Sequence, residues 1–299
     1  MTQSGILLVD KPEGPSSAHV VHKVKEILRA KKVGHLGTLD PFASGLLLLG
    51  INEGTKIADI FLSVSKSYRG VMVLGVETDS QDSTGKVVGV RMVPPVGPTE
   101  LRTLEQKFTG DLLQVPPMFS ALRRGGVRLY RLARQGKEVP REPRCIRIEE
   151  LRLRKWTNAE IEFEVTCSRG TYVRTLAADM GKFLGCGAHL KSLRRMACGH
   201  LTLDHAITLS KLERLDSKQK VPIISLTAAL DHLRSITWEN RLVSRLRLGQ
   251  QEILSQLGKP LEGEGVIRIL DPRCNLVALV EWSEGIAGGR WRLVRVFHE

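Results

Sequence analysis

Residues Val33–Gly50 read VGHLGTLDPFASGLLLLG, and the two halves of this stretch follow different rules. Leu46 to Leu49 form an unbroken apolar run of strand length, the pattern of a strand buried on both faces. Ahead of it, Gly34, Gly37 and Gly45 permit backbone angles that other residues resist, and Pro41 fixes φ immediately after Asp40. The stretch therefore predicts a carboxylate on a shaped turn at the mouth of a core strand, with His35 five residues upstream. An active site has this form, and so does an ordinary tight connection.

Outward from this stretch, GILLVDKP reads as a short strand ended by Lys11 and Pro12. Ser16 or Ser17 caps a helix whose apolar face carries Val20, Val21, Val24, Ile27 and Leu28. Thr55 to Leu62 reads as helix and SYRGVMVLGV as strand. TDSQDSTG is a turn-rich acidic loop with Asp79, Ser80, Asp82 and Gly85 as turn formers. Thr99–Phe108 is a predicted helix, Ile146–Trp156 and Glu160–Thr166 are predicted strands, and a helix is expected from about Thr175 to Leu184. Asp216–Pro222 reads as a surface loop, and a domain boundary is placed near Ser235. Beyond Gly265, VIRIL, LVALVEW and RWRLVRVF predict a small all-β module. Strands and helices mix without strict alternation, so the class expected is α+β.

The charge is unusual. In 299 residues, 45 Lys and Arg stand against 32 Asp and Glu, a formal +13. Such a surplus points to a polyanionic partner. No apolar run approaches the ~20 residues a membrane-spanning helix needs, and ILLV before Asp10 is too short for a signal-peptide core. Nucleic acid and a cytoplasmic location are expected. Five cysteines without a CxxC pair argue against a disulfide framework and a structural zinc site, leaving buried reduced thiols.

The positive charge is concentrated. Arg123, Arg124, Arg128, Arg131, Arg134, Lys137, Arg141 and Arg144 are opposed only by Glu138 and Glu142. Spaced every three residues, Arg128, Arg131 and Arg134 stack on one face of a helix, with Leu129 and Leu132 as anchors and Gly125–Gly126 as a hinge. The run is either a phosphate-binding element or a solvated helix face. A second stretch, CSRGTYVRTLAADMG from Cys167 to Gly181, places Tyr172 and Arg174 on one side if Gly170–Arg174 is extended. There they flank a carboxylate, Arg174 holding it ionised and Tyr172 offering a ring. The plainer alternative is a core tyrosine and a surface arginine, and Tyr68 in KSYRG is equally ambiguous alone.

Together, and in order, GILLVDKPEGPSSAHVVHKVK, VGHLGTLDPFASGLL, KSYRG, VPPMFSALRRGGVRLYRLARQGKEVPRE, CSRGTYVRTLAADMG and GCGAHLKSLRRMACG resemble the TruB family of bacterial tRNA pseudouridine-55 synthases. The resemblance is dense over roughly residues 5–200 and thinner beyond. It implies a catalytic domain over 1–235 built on a mixed, largely antiparallel sheet, with a basic thumb insertion at about 117–144. It further implies a small PUA-like RNA-binding domain over 236–299. It implies conversion of a T-arm uridine to pseudouridine, without cofactor or metal, by a monomer acting on tRNA with no obligatory protein or guide-RNA partner. By position, Asp40 matches the catalytic aspartate and Tyr68 the tyrosine stacked on the target base. His35 matches the residue that enters the RNA fold beside the flipped nucleotide, and Tyr172, Arg174 and Leu193 line the rest of the pocket. The thumb arginines would grip the RNA backbone.

The chemistry agrees. Displacing a base at C1′ calls for an ionised carboxylate at pH 7, which a free aspartate supplies with its pKa of ~3.9. A stacked uridine must also be extruded first. Three rivals are a guide-RNA-dependent synthase, a non-catalytic tRNA-binding chaperone, and a metal-dependent phosphoesterase using His35, Asp40, Asp79 and Asp82. The full thumb argues against the first. The joint presence of Asp40, Tyr68 and Arg174 argues against the second, and the lack of a ligand motif against the third.

Overall fold

The computed structural model describes residues 3–155, 157–215, 220–262, 265–284 and 288–298. The leucine run is a strand buried on both faces, as its pattern requires. Strand β1 (Gly5–Lys11) pairs antiparallel with β2 (Ser44–Ile51), Gly5 opposite Ile51 and Lys11 opposite Gly45. Leu7, Val9, Leu47 and Leu49 point to one side, into a core with Val20 and Val24 of α1 (Ser17–Leu28). Ile6, Leu8, Leu46 and Leu48 point to the other, against Phe61, Leu276, Leu279 and Phe297. Fully burying one such leucine is worth ~1.5–3 kcal/mol, so both faces pin the register of this hairpin.

Around it grows, among the described residues, a sheet of eleven strands. Its main path runs from the short strand Ile207–Thr208 through β1 and β2 to β7 (Ala188–Cys198). It continues through β3 (Lys66–Leu74), β6 (Glu160–Cys167) and β5 (Arg144–Lys155) to β4 (Gly110–Gln114). Pairing along this path is antiparallel except at Ile207–Thr208 against β1 and at β7 against β2. The parallel join of β7 and β2 aligns Arg195 with Gly45, which proves decisive for the site. A second sheet holds β8 (Ser235–Thr237), β9 (Val266–Leu270), β10 (Leu276–Ser283) and β11 (Arg290–Val296). It packs on the back of β1 and β2, where Lys56 Nζ donates to Val296 O at 2.8 Å. The α+β class with a mixed, largely antiparallel sheet and a separate C-terminal sheet is as expected.

Several local expectations need correction. Thr55–Leu62 is not one helix: a 3-10 segment, Asn52–Ile57, precedes a short α-helix, α2 (Ala58–Ser63). The three arginines do not share a helix face, because α3 spans only Leu129–Arg134. Arg128 lies before it in a two-residue strand paired with Arg123 across a Gly125–Gly126 turn. Both glycines there have positive φ, the geometry of a type I′ hairpin turn, so the pair is a tight turn rather than a hinge. Helix α4 (Val173–Phe183) starts two residues early. Cys167, Cys186 and Cys198 are buried, whereas Cys145 and Cys274 are exposed, and none is disulfide-bonded. Trp156 and residues 216–219, which belonged to a predicted strand and a predicted loop, lie outside the described residues.

Candidate active site

Asp40 sits where three backbone clamps meet. Gly45 has φ of +99°, and a Cβ there would lie 2.4 Å from the carbonyl oxygen of Arg195. This glycine lets β7 close onto β2, so its role is strand packing. Gly34 has no such angle. With β7 in place, the buried Arg195 guanidinium donates to Leu46 O at 2.6 Å, Gly37 O at 3.2 Å and Thr38 O at 3.3 Å. From α1, Ser17 Oγ donates to Leu39 O at 2.7 Å and accepts from Leu39 N at 2.9 Å. From the end of β1, the buried Lys11 ammonium donates to Pro12 O, Pro15 O and Pro41 O at 2.8–3.2 Å. Burial lowers the Lys11 pKa to about 8, against the pull of Asp40 and Glu13. Residues 37–41 are thus held on both sides of the acid.

The carboxylate itself meets Arg174, whose Nε lies 2.9 Å from Asp40 Oδ2. Arg174 is 5 % exposed and Asp40 39 %, so the arginine is fixed inside while the acid keeps an open side. The remaining nitrogens of Arg174 are committed: Nη1 donates to Ser80 O at 2.8 Å and Nη2 to Phe119 O at 2.8 Å. Nη1 also lies 3.4 Å from Asp82 Oδ2. Asp82 in turn accepts at Oδ1 from Ser80 Oγ, Thr84 N and Thr84 Oγ1 at 2.6–3.0 Å. A buried guanidinium needs such compensation, and the loop expected only to turn the chain supplies it.

The route of Arg174 to Asp40 differs from the one expected. Tyr172 is the extended residue before α4 and Arg174 lies in the first helical turn, so they are not alternate residues of a strand. Tyr172 is held by Gln114, which donates from Nε2 to Tyr172 O at 3.1 Å and accepts from Tyr172 N at Oε1 at 2.8 Å. Burial raises the Tyr172 pKa, opposed by Ser120, Arg144 and Arg174. Tyr68 on β3 stands opposite Arg195 of β7 in register, and burial pushes its phenol up to about 12. It borders an open crevice of about 280 Å³ with Arg69 and Met196, which Asp40 does not line. Arg195 therefore links Tyr68 to the Asp40 loop. Leu193, buried on β7, faces Gly70 two residues beyond Tyr68. His35 is exposed and paired with Leu49, with its pKa lowered by partial desolvation and then by the charge of Arg195.

Arg195 and Lys11 escaped notice as site residues in the sequence, and Asp82 stood out only as a turn former and a metal ligand, not as the partner of Arg174. Arg195 stood inside GCGAHLKSLRRMACG, where nothing separates a buried arginine from a surface one. The His35, Asp40, Asp79 and Asp82 grouping does not assemble: Asp82 faces Arg174, and Asp79 Oδ1 accepts from Lys86 N at 2.8 Å. In the basic segment, Arg123, Arg124, Arg128, Arg131 and Arg134 are all exposed, while Leu129 is buried and anchors it. Arg134 also lies over the Tyr130 ring, 5.7 Å from its centroid.

Two family descriptions cover most of this framework. Residues 25–173 match the N-terminal domain of the TruB family pseudouridylate synthases, and residues 174–234 match the tRNA pseudouridylate synthase B C-terminal domain. A crystal structure of a Cbf5–Nop10–Gar1 complex shares the fold, with a TM-score of 0.72 at 24 % identity over 98 % of this chain and 85 % of that one. In class, then, the protein is a pseudouridylate synthase. Among relatives, tRNA pseudouridine synthase B of Geobacter sulfurreducens is 41 % identical over 98 % of this chain and 99 % of its own. That of Burkholderia mallei is 42 % identical over 94 % of both chains. The chain belongs to the TruB family.

Proposed function

We propose that Asp40 is the catalytic carboxylate of a tRNA uridine isomerase that works alone on the T arm. The observation that carries this reading is the Asp40–Arg174 pair, a carboxylate with one open side fixed on a buried arginine at 2.9 Å. The protein is an isomerase of tRNA uridine: the N1–C1′ bond breaks, C5 bonds to C1′, the C5 hydrogen leaves and N1 gains one. Asp40 supplies the negative charge that meets the electron-poor centre, and Arg174 aims it. Arg195 positions the loop and Tyr68 together. Tyr68, its phenol pushed up to about 12 by burial, offers a ring for the extruded base, with Tyr172 and Leu193 as further walls. His35, exposed and with its pKa pushed down, fills the space the uridine leaves. The catalytic unit is assigned to residues 1–235 and the RNA-binding C-terminal sheet to 236–299, in a monomer of the cytoplasm.

Loss of the C5 hydrogen gives the direct test. With tRNA carrying tritium at uridine C5, the purified protein without guide RNA should release one tritium per tRNA. No release without a guide would favour the guide-dependent reading.

The exposed thumb arginines support action without a partner, because they offer a phosphate grip on the chain itself. Replacing Arg128, Arg131 and Arg134 together by glutamine should weaken tRNA binding and flatten its salt dependence. Three lost phosphate contacts should lower the slope of log K against log salt by roughly 2–3. An unchanged slope would make these arginines solvated side chains only.

A further inference from the structure

We propose that His200, Asp231 and His232 form a zinc-type metal site that staples the catalytic sheet to the segment entering the C-terminal sheet. One ligand nitrogen from each histidine and one carboxylate oxygen lie within 4.8 Å of one another. His200 Nε2 is 3.9 Å from Asp231 Oδ1, and the two imidazole rings stand 4.6 Å apart at 47°. Two imidazoles with one carboxylate are a donor set for borderline divalent ions such as zinc, not for the all-oxygen shells of magnesium or calcium.

The two ligand-bearing segments are far apart in sequence and fixed from beneath. His200 follows Gly199 in the turn after β7, where Gly199 N donates to Ser65 O at 2.9 Å. Its ring lies 6.3 Å from that of the buried Phe61. Asp231 and His232 follow Leu230, which is buried at 0 % exposure. Arg268 of β9 grips their backbone, donating from Nη1 to Thr227 O at 2.8 Å, from Nε to Leu233 O at 2.9 Å and from Nη2 to Asp231 O at 3.2 Å. The backbone is thus preorganised, and the exposed side chains are the movable part. Zinc–nitrogen bonds of about 2.0–2.1 Å require donor atoms roughly 3.3 Å apart, so the ligand atoms, all within 4.8 Å of one another, must draw in by at most about 1.5 Å, a distance that rotation of exposed side chains can supply.

The His200 ring meets Phe61, the two imidazoles meet each other, and His200 Nε2 meets Asp231 Oδ1, so the nearest charged neighbour of the imidazoles is itself a ligand of the site. The fourth position is open to water. The site lies three residues before Ser235, where β8 begins, so an ion there would stiffen the junction between the sheets. It is separate from Asp40 and takes no part in isomerisation.

Full-length protein stripped with EDTA should be titrated calorimetrically with zinc chloride at pH 7.5, beside the double variants His200→Ala/His232→Ala and His200→Gln/His232→Gln. The expected result is one zinc per wild-type chain with a Kd below about 10 µM, weakened at least about tenfold in both double variants. Zinc should also raise the melting temperature of wild type and not of the glutamine pair. Pseudouridine formation by the stripped protein should match that of the zinc-loaded one. Equal zinc affinity in wild type and both variants, or no wild-type binding tighter than about 100 µM, would overturn the site.

Discussion

Asp40→Asn should abolish turnover while leaving tRNA affinity within a few-fold of wild type. Asparagine keeps the size of the side chain and one oxygen for Arg174 Nε, now 2.9 Å from Oδ2. Lys11, Ser17 and Arg195 hold the loop through backbone carbonyls and the Leu39 amide, which the substitution does not touch. Arg174 retains a carboxylate partner in Asp82, so no buried charge is stranded. What disappears is the negative charge. A loss of roughly 10⁴-fold or more in kcat, about 5.5 kcal/mol of barrier, is the expected size. The measurement is single-turnover rate beside a filter-binding Kd on the same tRNA. Substantial residual pseudouridine from the pure variant would remove Asp40 from its role.

Arg174→Lys should be the next most damaging change, although it conserves charge. The guanidinium reaches Asp40, Ser80 O, Phe119 O and Asp82 at once because its nitrogens point outward in a rigid plane. A lysine ammonium is a single point on a shorter stem and cannot span these partners. We expect kcat to fall by about 10²–10³-fold, the range seen when one fixed electrostatic group is lost from a site. Arg174→Met should cost stability as well, about 3–5 kcal/mol, since it strands the buried Asp82. Adding Asp82→Asn to the methionine variant should restore part of that stability and none of the activity. A lysine variant with wild-type kcat would show that the aim of Asp40 does not depend on the fork.

The residues themselves explain which features were legible in advance. The leucine run could be read because four apolar positions in a row leave no polar face to place, and their short length between Gly45 and Gly50 favours a strand covered on both sides over a buried helix. A helix cap at Ser16 or Ser17 was legible because a hydroxyl just before a run of free backbone N–H groups is a local signal, and the structure uses Ser16: His19 N donates to its Oγ. Asp40 stood out as the only acid in a glycine-broken loop. Arg195 and Asp82 did not, because their meaning depends on a parallel join of β7 to β2 and on a loop 92 residues away from Arg174. No local pattern encodes either. The arginine spacing at 128, 131 and 134 misled for the opposite reason. Period three suggests a helix face, but the Gly125–Gly126 turn pulls Arg128 into a hairpin first.

Mapping pseudouridine at single-nucleotide resolution in an unmodified tRNA tests the central claim most directly. The purified protein is incubated with the transcript and, separately, with an isolated T-arm stem-loop, with no guide RNA and with EDTA in the stem-loop reaction. The account predicts one pseudouridine per molecule, at position 55 of the T loop, in both RNAs, and none from Asp40→Asn. Pseudouridine at another position, or its absence until a guide RNA is supplied, would contradict it.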